Sequence, residues 1–302
     1  MPKRRDRDRG RELTVLRTAH IPLVEVSGVT LRRDPDGDVG LIAIGDRSAV
    51  AAWVVLPDDD EGDYEWSETD VSALEGSLVP AHDSQLEVVC ADGAGRVLLI
   101  QEDPPRAELL DWAERRVLAT IALDVPMGHA LHGAWIDPDA SHGEGAVLLA
   151  NGHLLVAKEK DPPAFMEFGP ARGVSSGCSP STVLSDGAPW PVKPGEHTYV
   201  PLATWMPSKE LLAACEDFSD LEGGPDHRLY MLSDKSASIA RLPDLPAGGG
   251  LATADRTWRI MDADGKPEGL AFTRHGRAIV TLDTRQMMHN LVVLDPPIVT
   301  WW

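Results

Sequence analysis

Glu268-Gly269-Leu270-Ala271-Phe272-Thr273-Arg274-His275-Gly276-Arg277-Ala278-Ile279-Val280-Thr281-Leu282-Asp283 consists of two short apolar runs joined by a Gly-containing turn, with an acidic residue at each end. Two runs of that length around a turn predict a β-hairpin. The pattern recurs along the chain. Ser27 to Asp46, Glu87 to Glu102, Glu144 to Glu159 and Ser219 to Asp234 each open a short strand with Ser or Glu and close a second, nearly all-apolar strand with an acid. Four of the five intervals are 15 residues; the first is 19, and its extra length lies in Arg33-Asp34-Pro35-Asp36-Gly37-Asp38. Self-similarity of this kind signals a repeat architecture, in which equivalent positions meet.

A third and a fourth strand can be read after several hairpins, as in Arg106 to Trp112 with Val117 to Leu123, and Ser238 to Leu242 with Arg256 to Met261. Four strands per repeat is the unit of a propeller. The anchors are spaced by 60, 57, 75 and 49 residues, so five such units consume the chain. The expectation is an all-β, five-bladed β-propeller with four-stranded blades. Glu12 to Arg17 has no anchor of its own and is expected to complete the last blade as its outer strand, with Trp301-Trp302 packing near that seam. The long third interval holds a Gly/Ser/Pro-rich insertion, 169–187, read as an elaborated loop. Helical periodicity is weak, and Pro207 to Ala214 is the best candidate for a short helix. Residues 1–11 read as a disordered basic arm and 12–302 as one propeller domain.

Composition bounds the function. Hydrophobic residues make up 43% and charged residues 25%, the values of a soluble globular chain. Its longest apolar runs are too short to span a bilayer as helices. A formal net charge of −20 would repel a phosphate backbone, so nucleic acid is excluded as a primary ligand and cations or cationic partners are favoured. No apolar segment follows the basic start, so no signal peptide is read. Cys90, Cys178 and Cys215 are odd in number and widely spaced, which fits a reducing cytoplasm and neither a disulfide framework nor a zinc site.

In a propeller the first strand of each blade lines the central channel. Ser27, Glu87, Glu144, Ser219 and Glu268 would then form one ring at its mouth. Three carboxylates and two hydroxyls are hard oxygen donors, suited to calcium or another hard divalent cation and not to zinc or copper. Two carboxylates about 4 Å apart repel by roughly 4 kcal/mol at an effective dielectric near 20. Three ionised glutamates therefore need protons, water or a metal to coexist. The alternative is structural: the five residues cap their strands and bond to neighbouring backbone amides.

Asp46, Glu102, Glu159, Asp234 and Asp283 open onto the same face, several with basic neighbours such as Arg47 and Arg285. Alternating charge around a channel mouth suits a small polar ligand, and it equally suits a latch between blades. His82 and His142 precede Glu87 and Glu144 closely enough to be candidate general bases or extra ligands. There is no Gly-x-Ser-x-Gly, P-loop or dinucleotide fingerprint to specify a reaction.

Pro267-Glu268-Gly269-Leu270-Ala271-Phe272, Leu154-Leu155-Val156-Ala157-Lys158-Glu159-Lys160-Asp161 and Leu229-Tyr230-Met231-Leu232-Ser233-Asp234-Lys235-Ser236 resemble the SdiA-regulated family of bacterial β-propellers and its phytase-esterase-like relatives. The ring order Ser, Glu, Glu, Ser, Glu is similar to that of the calcium-activated nucleotidases, or apyrases. That resemblance implies five blades around an axial calcium, with Ser27, Glu87, Glu144, Ser219 and Glu268 as its ring. Two readings of function follow. One is a calcium-binding propeller with a small-molecule site at the channel mouth, acting as a metal-assisted hydrolase of a phosphate or carboxylic ester. The other is a non-catalytic propeller with a structural metal, serving as a protein- or ligand-binding module.

Overall fold

A computed structural model describes residues 12–33, 38–56, 64–137, 142–185, 187–284 and 289–299. The basic arm, residues 34–37, Arg285 and Trp301-Trp302 lie outside the described residues. The chain enters with β1 (Glu12–Ala19) and then builds four-stranded antiparallel meanders. The first is β2 (Val26–Arg33), β3 (Val39–Gly45), β4 (Val50–Val55) and β5 (Ser67–Asp70). The second is β6 (Leu86–Ala91), β7 (Val97–Gln101), β8 (Arg106–Asp111) and β9 (Arg116–Leu123). After a short helix α1 (His132–Ile136), the third is β10 (Gly143–Leu148), β11 (Leu154–Lys158), β12 (Ala164–Pro170) and β13 (Gly195–Pro207).

Helix α2 (Lys209–Ala214) leads into the fourth meander, made of β14 (Asp220–Gly223), β15 (Leu229–Ser233) and β16 (Ser238–Leu242), with β17 (Gly250–Ala252) pairing on β13 before β18 (Arg256–Ile260) completes it. Last come β19 (Lys266–Phe272), β20 (Ala278–Asp283) and β21 (Leu291–Asp295), and β1 pairs antiparallel with β21. The expected strand at the N-terminus is therefore present and longer than read. The expected helix near 207–214 is α2, started by Ser208, whose Oγ accepts from the Leu211 amide. That is ordinary N-cap chemistry.

The second strand of each meander explains why it reads as nearly all apolar. In β7, Val97 and Leu99 pack toward the first meander while Leu98 and Ile100 pack toward the third. In β11, Leu154 and Val156 face the second meander, and Leu155 and Ala157 face the fourth. In β3, Leu41 and Ala43 face the last meander, and Ile42 and Ile44 face the second. A strand buried on both faces has no polar side to show. The five apolar clusters each join two neighbouring meanders: first with second, second with third, third with fourth, fourth with fifth, and fifth with first. Each fully buried Leu, Ile or Phe contributes roughly 1.5–3 kcal/mol.

The first strands pack in the same cyclic order, β2 on β6, β6 on β10, β10 on β14, β14 on β19 and β19 back on β2. This all-β, propeller-like arrangement requires close backbone approach near the axis. A Cβ on Gly145 would lie 2.1 Å from the Leu221 amide nitrogen, and one on Gly28 would lie 2.9 Å from the Glu87 carbonyl oxygen. Two devices bind the seams. β13 pairs with β9 at its start and with β12 and β17 further on, spanning three meanders. Where the chain passes from β1 to β2, Asn290 accepts from the Ile21 amide (2.7 Å) and donates to the Ile21 and Leu23 carbonyls.

The insertion between β12 and β13 is held by two buried acids. Glu167 accepts from Ser175 Oγ, from both the amide and the hydroxyl of Ser176, and from the Gly177 amide. Asp92 accepts from the Trp190 amide and from Arg96. No helix among the described residues is long and apolar enough to cross a membrane.

Candidate functional site

Four of the five anchors sit where their first strand changes register. The pairing of β2 with β3 shifts between Val26 and Gly28, that of β6 with β7 between Leu86 and Val88, that of β10 with β11 between Gly143 and Gly145, and that of β19 with β20 between Pro267 and Gly269. The residues left at the bulges are Ser27, Glu87, Glu144 and Glu268. Just ahead of β14, the Ser219 amide donates to Leu232 O, and Leu232 is also the register partner of Asp220. A β-bulge leaves one residue out of the ladder and re-aims its side chain. Here that aim is inward.

All five anchors line one cavity of about 300 Å³. The second acidic set, Asp46, Glu102, Glu159, Asp234 and Asp283, lines the same cavity. So do Glu25, Lys160 and Lys266. Glu25 and Lys266 were not singled out by sequence reasoning, although each lies two residues before an anchor. That offset alone is a weak signal, because Gln85, His142 and Asp217 share it and are not in the lining.

The serines and the glutamates of the ring differ. Ser27 Oγ donates to Leu86 O at 2.6 Å across a seam, and Ser219 Oγ accepts from the Asp234 amide at 2.8 Å. Of the two, only Ser219 makes the backbone-amide contact of the strand-capping alternative; Ser27 meets a carbonyl instead. Among the described residues, the side chains of Glu87, Glu144 and Glu268 receive no hydrogen bond and no ion pair. Burial pushes Glu87 and Glu144 well above the usual carboxylate range, and the neighbouring acids of the cavity add to it. Burial and then Asp234 push Glu268 up to about 8, against the opposing charge of Lys266. Asp46 rises to about 6 through burial and Glu25, with Arg47 opposing. Its Oδ1 is buried without a hydrogen-bond partner.

The outer acids are of two kinds. Glu102 is a seam contact: it accepts from the His142 amide at 3.0 Å and lies 3.5 Å from His142 Nδ1. Burial opposes its ionisation, yet those contacts and Lys160 hold its pKa below the usual range. Lys160 Nζ lies 2.6 Å from Glu159 Oε2. Arg47 is exposed and outside the lining; its Nε meets Glu25 Oε2 at 2.5 Å. His82 is exposed, at a bridge to Ser48 away from the lining. His142 is buried, its ring edge-on to Trp135 at 5.4 Å, and it also stands outside the lining.

Every donor facing the cavity is oxygen apart from two ammonium groups, so the wall fits a hard cation. As the side chains stand, no group of three or more His, Cys, Asp or Glu residues is gathered tightly enough to hold a metal ion, among the described residues. The lining carries nine carboxylates against two ammonium groups. Such a wall can concentrate cations and cannot accept an anion without a counter-charge.

Fold and cavity together define an all-β, propeller-like protein with an acidic axial pocket. No family model matches the chain, and no curated protein matches it. Solved structures match it at low identity. Glutaminyl cyclase from Myxococcus xanthus is 10% identical over 96% of this chain and 98% of that one, with a TM-score of 0.48. The PQQ-bound aldose sugar dehydrogenase from Streptomyces coelicolor is 13% identical over 94% and 97%, with a TM-score of 0.46. A functionally unknown protein from Desulfotomaculum acetoxidans is 11% identical over 87% of this chain, with a TM-score of 0.39, and the chain spans 64% of its length. These matches assign neither family nor activity. The resemblances to SdiA-regulated proteins and apyrases have no family match behind them.

Proposed function

We propose that the chain is a five-bladed propeller, closed by β1 as the outer strand of the last blade. In this reading it holds a hard divalent cation, calcium by preference, among Ser27, Glu87, Glu144, Ser219 and Glu268, and it binds a small polar ligand at the channel mouth. The observation that carries the reading is the state of the three ring glutamates: half-buried, lining one cavity, and without a hydrogen bond or ion pair among the described residues. Carboxylates that face one another across a confined cavity repel unless protons, water or a cation come between them. Calcium takes six to eight oxygens in flexible geometry, which suits a mixed carboxylate and hydroxyl wall whose side chains must draw inward to bind. Such a cation would supply charge compensation and a fixed centre for orienting a ligand.

A binding role is favoured over hydrolysis by the placement of the histidines. A general base must reach the reacting atoms, whereas His82 is exposed outside the cavity and His142 is engaged with Glu102 and Trp135. The free, buried Cys90, Cys178 and Cys215 suit a reducing compartment.

Thermal unfolding with calcium and with chelator, together with elemental analysis of the purified protein, tests the reading. A ligand at a hundred times its Kd stabilises by about 2.7 kcal/mol, which for a chain of this size raises Tm by about 4 °C. A Tm indifferent to both additions, in protein that contains no metal, would overturn it.

A further inference from the structure

The five first strands begin at the acidic cavity and end at a second one, of about 150 Å³, which receives Leu31 from β2, Cys90 from β6, Leu148 from β10, Glu222 from β14 and Phe272 from β19. Among the described residues, none lines both cavities. A further wall comes from the insertion between β12 and β13, through Val183, Leu184, Ser185 and Gly187. That loop is fastened on two sides. The Leu184 amide donates to Leu148 O, and the Gly93 amide donates to Ala188 O, each at 2.9 Å. A Cβ on Gly93 would lie 2.0 Å from the Gly187 carbonyl carbon, so the loop's approach requires a glycine there. A loop that only plugged the channel would fill this space, because protein interiors leave few voids larger than a water molecule. Instead the cavity runs from an exposed rim at Arg33, Ser185 and Gly187 to a buried floor at Thr30, Cys90 and Leu148.

The wall narrows the kind of molecule. Leu31, Cys90, Ala146, Leu148, Val183 and Phe272 give it an apolar body. Its arginines and its carboxylates are two of each, and all four are engaged. Arg32 donates from Nε to Gly95 O and lies 5.5 Å from the Trp112 ring centroid, while Asp92 accepts from Arg96 and from the Trp190 amide. A wall balanced in this way gives an ion no counter-charge in return for its lost water. One polar group stands apart. Thr30 is 4% exposed, and its hydroxyl makes no hydrogen bond among the described residues. A buried hydroxyl left unpaired costs free energy that a ligand's polar group can recover. Phe272 favours an aromatic ring over an alkyl body, and a dry apolar cavity of about 150 Å³ takes one benzene ring.

We propose that this second cavity binds a neutral molecule of one aromatic ring with a single hydroxyl group, the class of the simple phenols, its ring among the apolar side chains and its hydroxyl paired with Thr30 Oγ1. The site lies at the other end of the first strands from the cation ring, and the proposal does not rest on that ring.

Isothermal titration of the full chain with phenol tests it, in calcium and in chelator. Toluene has the same shape without the hydroxyl, benzoate adds a charge, and cyclohexanol lacks the aromatic ring. Thr30→Val keeps the shape of the floor and removes its hydroxyl, and Val39→Trp narrows the cavity from its wall. The expected result is one saturable phenol site with equal affinity in calcium and in chelator. Toluene should bind about three- to tenfold more weakly, the worth of one hydrogen bond, with cyclohexanol and benzoate weaker than phenol. Thr30→Val should bring phenol down to the level of toluene and leave toluene unchanged, and Val39→Trp should abolish both. Phenol that does not saturate, or that binds equally well to folded Val39→Trp protein, would overturn the site. A Val39→Trp chain that does not fold leaves the decision to Thr30→Val: an unchanged ratio of phenol to toluene there overturns the pairing with Thr30. Benzoate or cyclohexanol binding as tightly as phenol would overturn the ligand class.

Discussion

Glu144 and Glu167 stand in the same meander and are chemically identical, and the protein treats them in opposite ways. Glu167 is fully buried and receives hydrogen bonds from Ser175, Ser176 and Gly177, with His153 Nδ1 2.6 Å from its Oε1. Burial alone would raise its pKa, but the His153 contact and the Ser175 and Ser176 donors hold it down at about 2. Glu144 has no such donors, and burial with the surrounding acids drives it well above the usual range. The supply of donors separates the two acids. Glu167 fastens the insertion to β12, whereas Glu144 lines the cavity with no donor among the described residues.

The sharpest way to break this contrast is to remove each carboxylate in turn. Glu167→Ala would strand several buried donors and release the base of the insertion, so a loss of about 3–5 kcal/mol in urea unfolding is expected. Glu144→Gln keeps the shape and removes a charge that the metal-free fold disfavours. Its chelated stability should be unchanged or higher by up to about 1 kcal/mol, while its thermal response to calcium should be lost. Equal destabilisation by the two variants would show that Glu144 is also a structural group.

Most of this contrast could not be read from the sequence. The strand pattern could be, because a run such as Val97-Leu98-Leu99-Ile100 is apolar on both faces only when both faces are buried. The convergence of the five anchors and five acids was legible as well, since four pairs share a 15-residue interval and the fifth differs only in the length of its turn. The partners were not legible. That Ser27 reaches Leu86 O, or that Glu102 meets His142, depends on which strands adjoin across a seam, and a single chain does not display that. Glu167 gave no signal either, because its donors lie eight to ten residues further on in a loop with no periodic pattern. Helix α1 was missed for a related reason: its five residues, His132 to Ile136, are too short for a helical period to register, and what anchors them is tertiary, with Trp135 buried and its Nε1 donating to Leu123 O.

A pH series should separate the two kinds of acid by the sign of the slope. Glu167, lowered from 4.5 to about 2, contributes stability that is present above pH 4.5 and lost as the pH falls toward 2. Glu268, raised from 4.5 to about 8, contributes in the opposite sense. Its share is present below pH 4.5 and lost as the pH rises through 8. In chelated protein, stability should therefore fall between about pH 4.5 and 8, and Glu268→Gln should flatten that fall. A chelated protein whose stability is level across the window, with or without the substitution, would mean that the ring glutamates are solvated and not confined.

The smallest effect belongs to the acid–base pair at the cavity's outer edge. Arg47 meets Glu25 at 2.5 Å, yet its side chain is 60% exposed, and water can replace what the contact supplies. Arg47→Ala is expected to leave Tm within the scatter of replicate scans. Its effect on ligand binding should be visible all the same, because removing a positive charge beside Glu25 and Asp46 makes the mouth more negative. Calcium affinity should rise modestly, by about two- to threefold at low salt, and the gain should vanish as salt is added. A fall in affinity would mean that Arg47 orders the mouth and does more than neutralise it, which would move that pair from Glu144's side of the comparison to Glu167's.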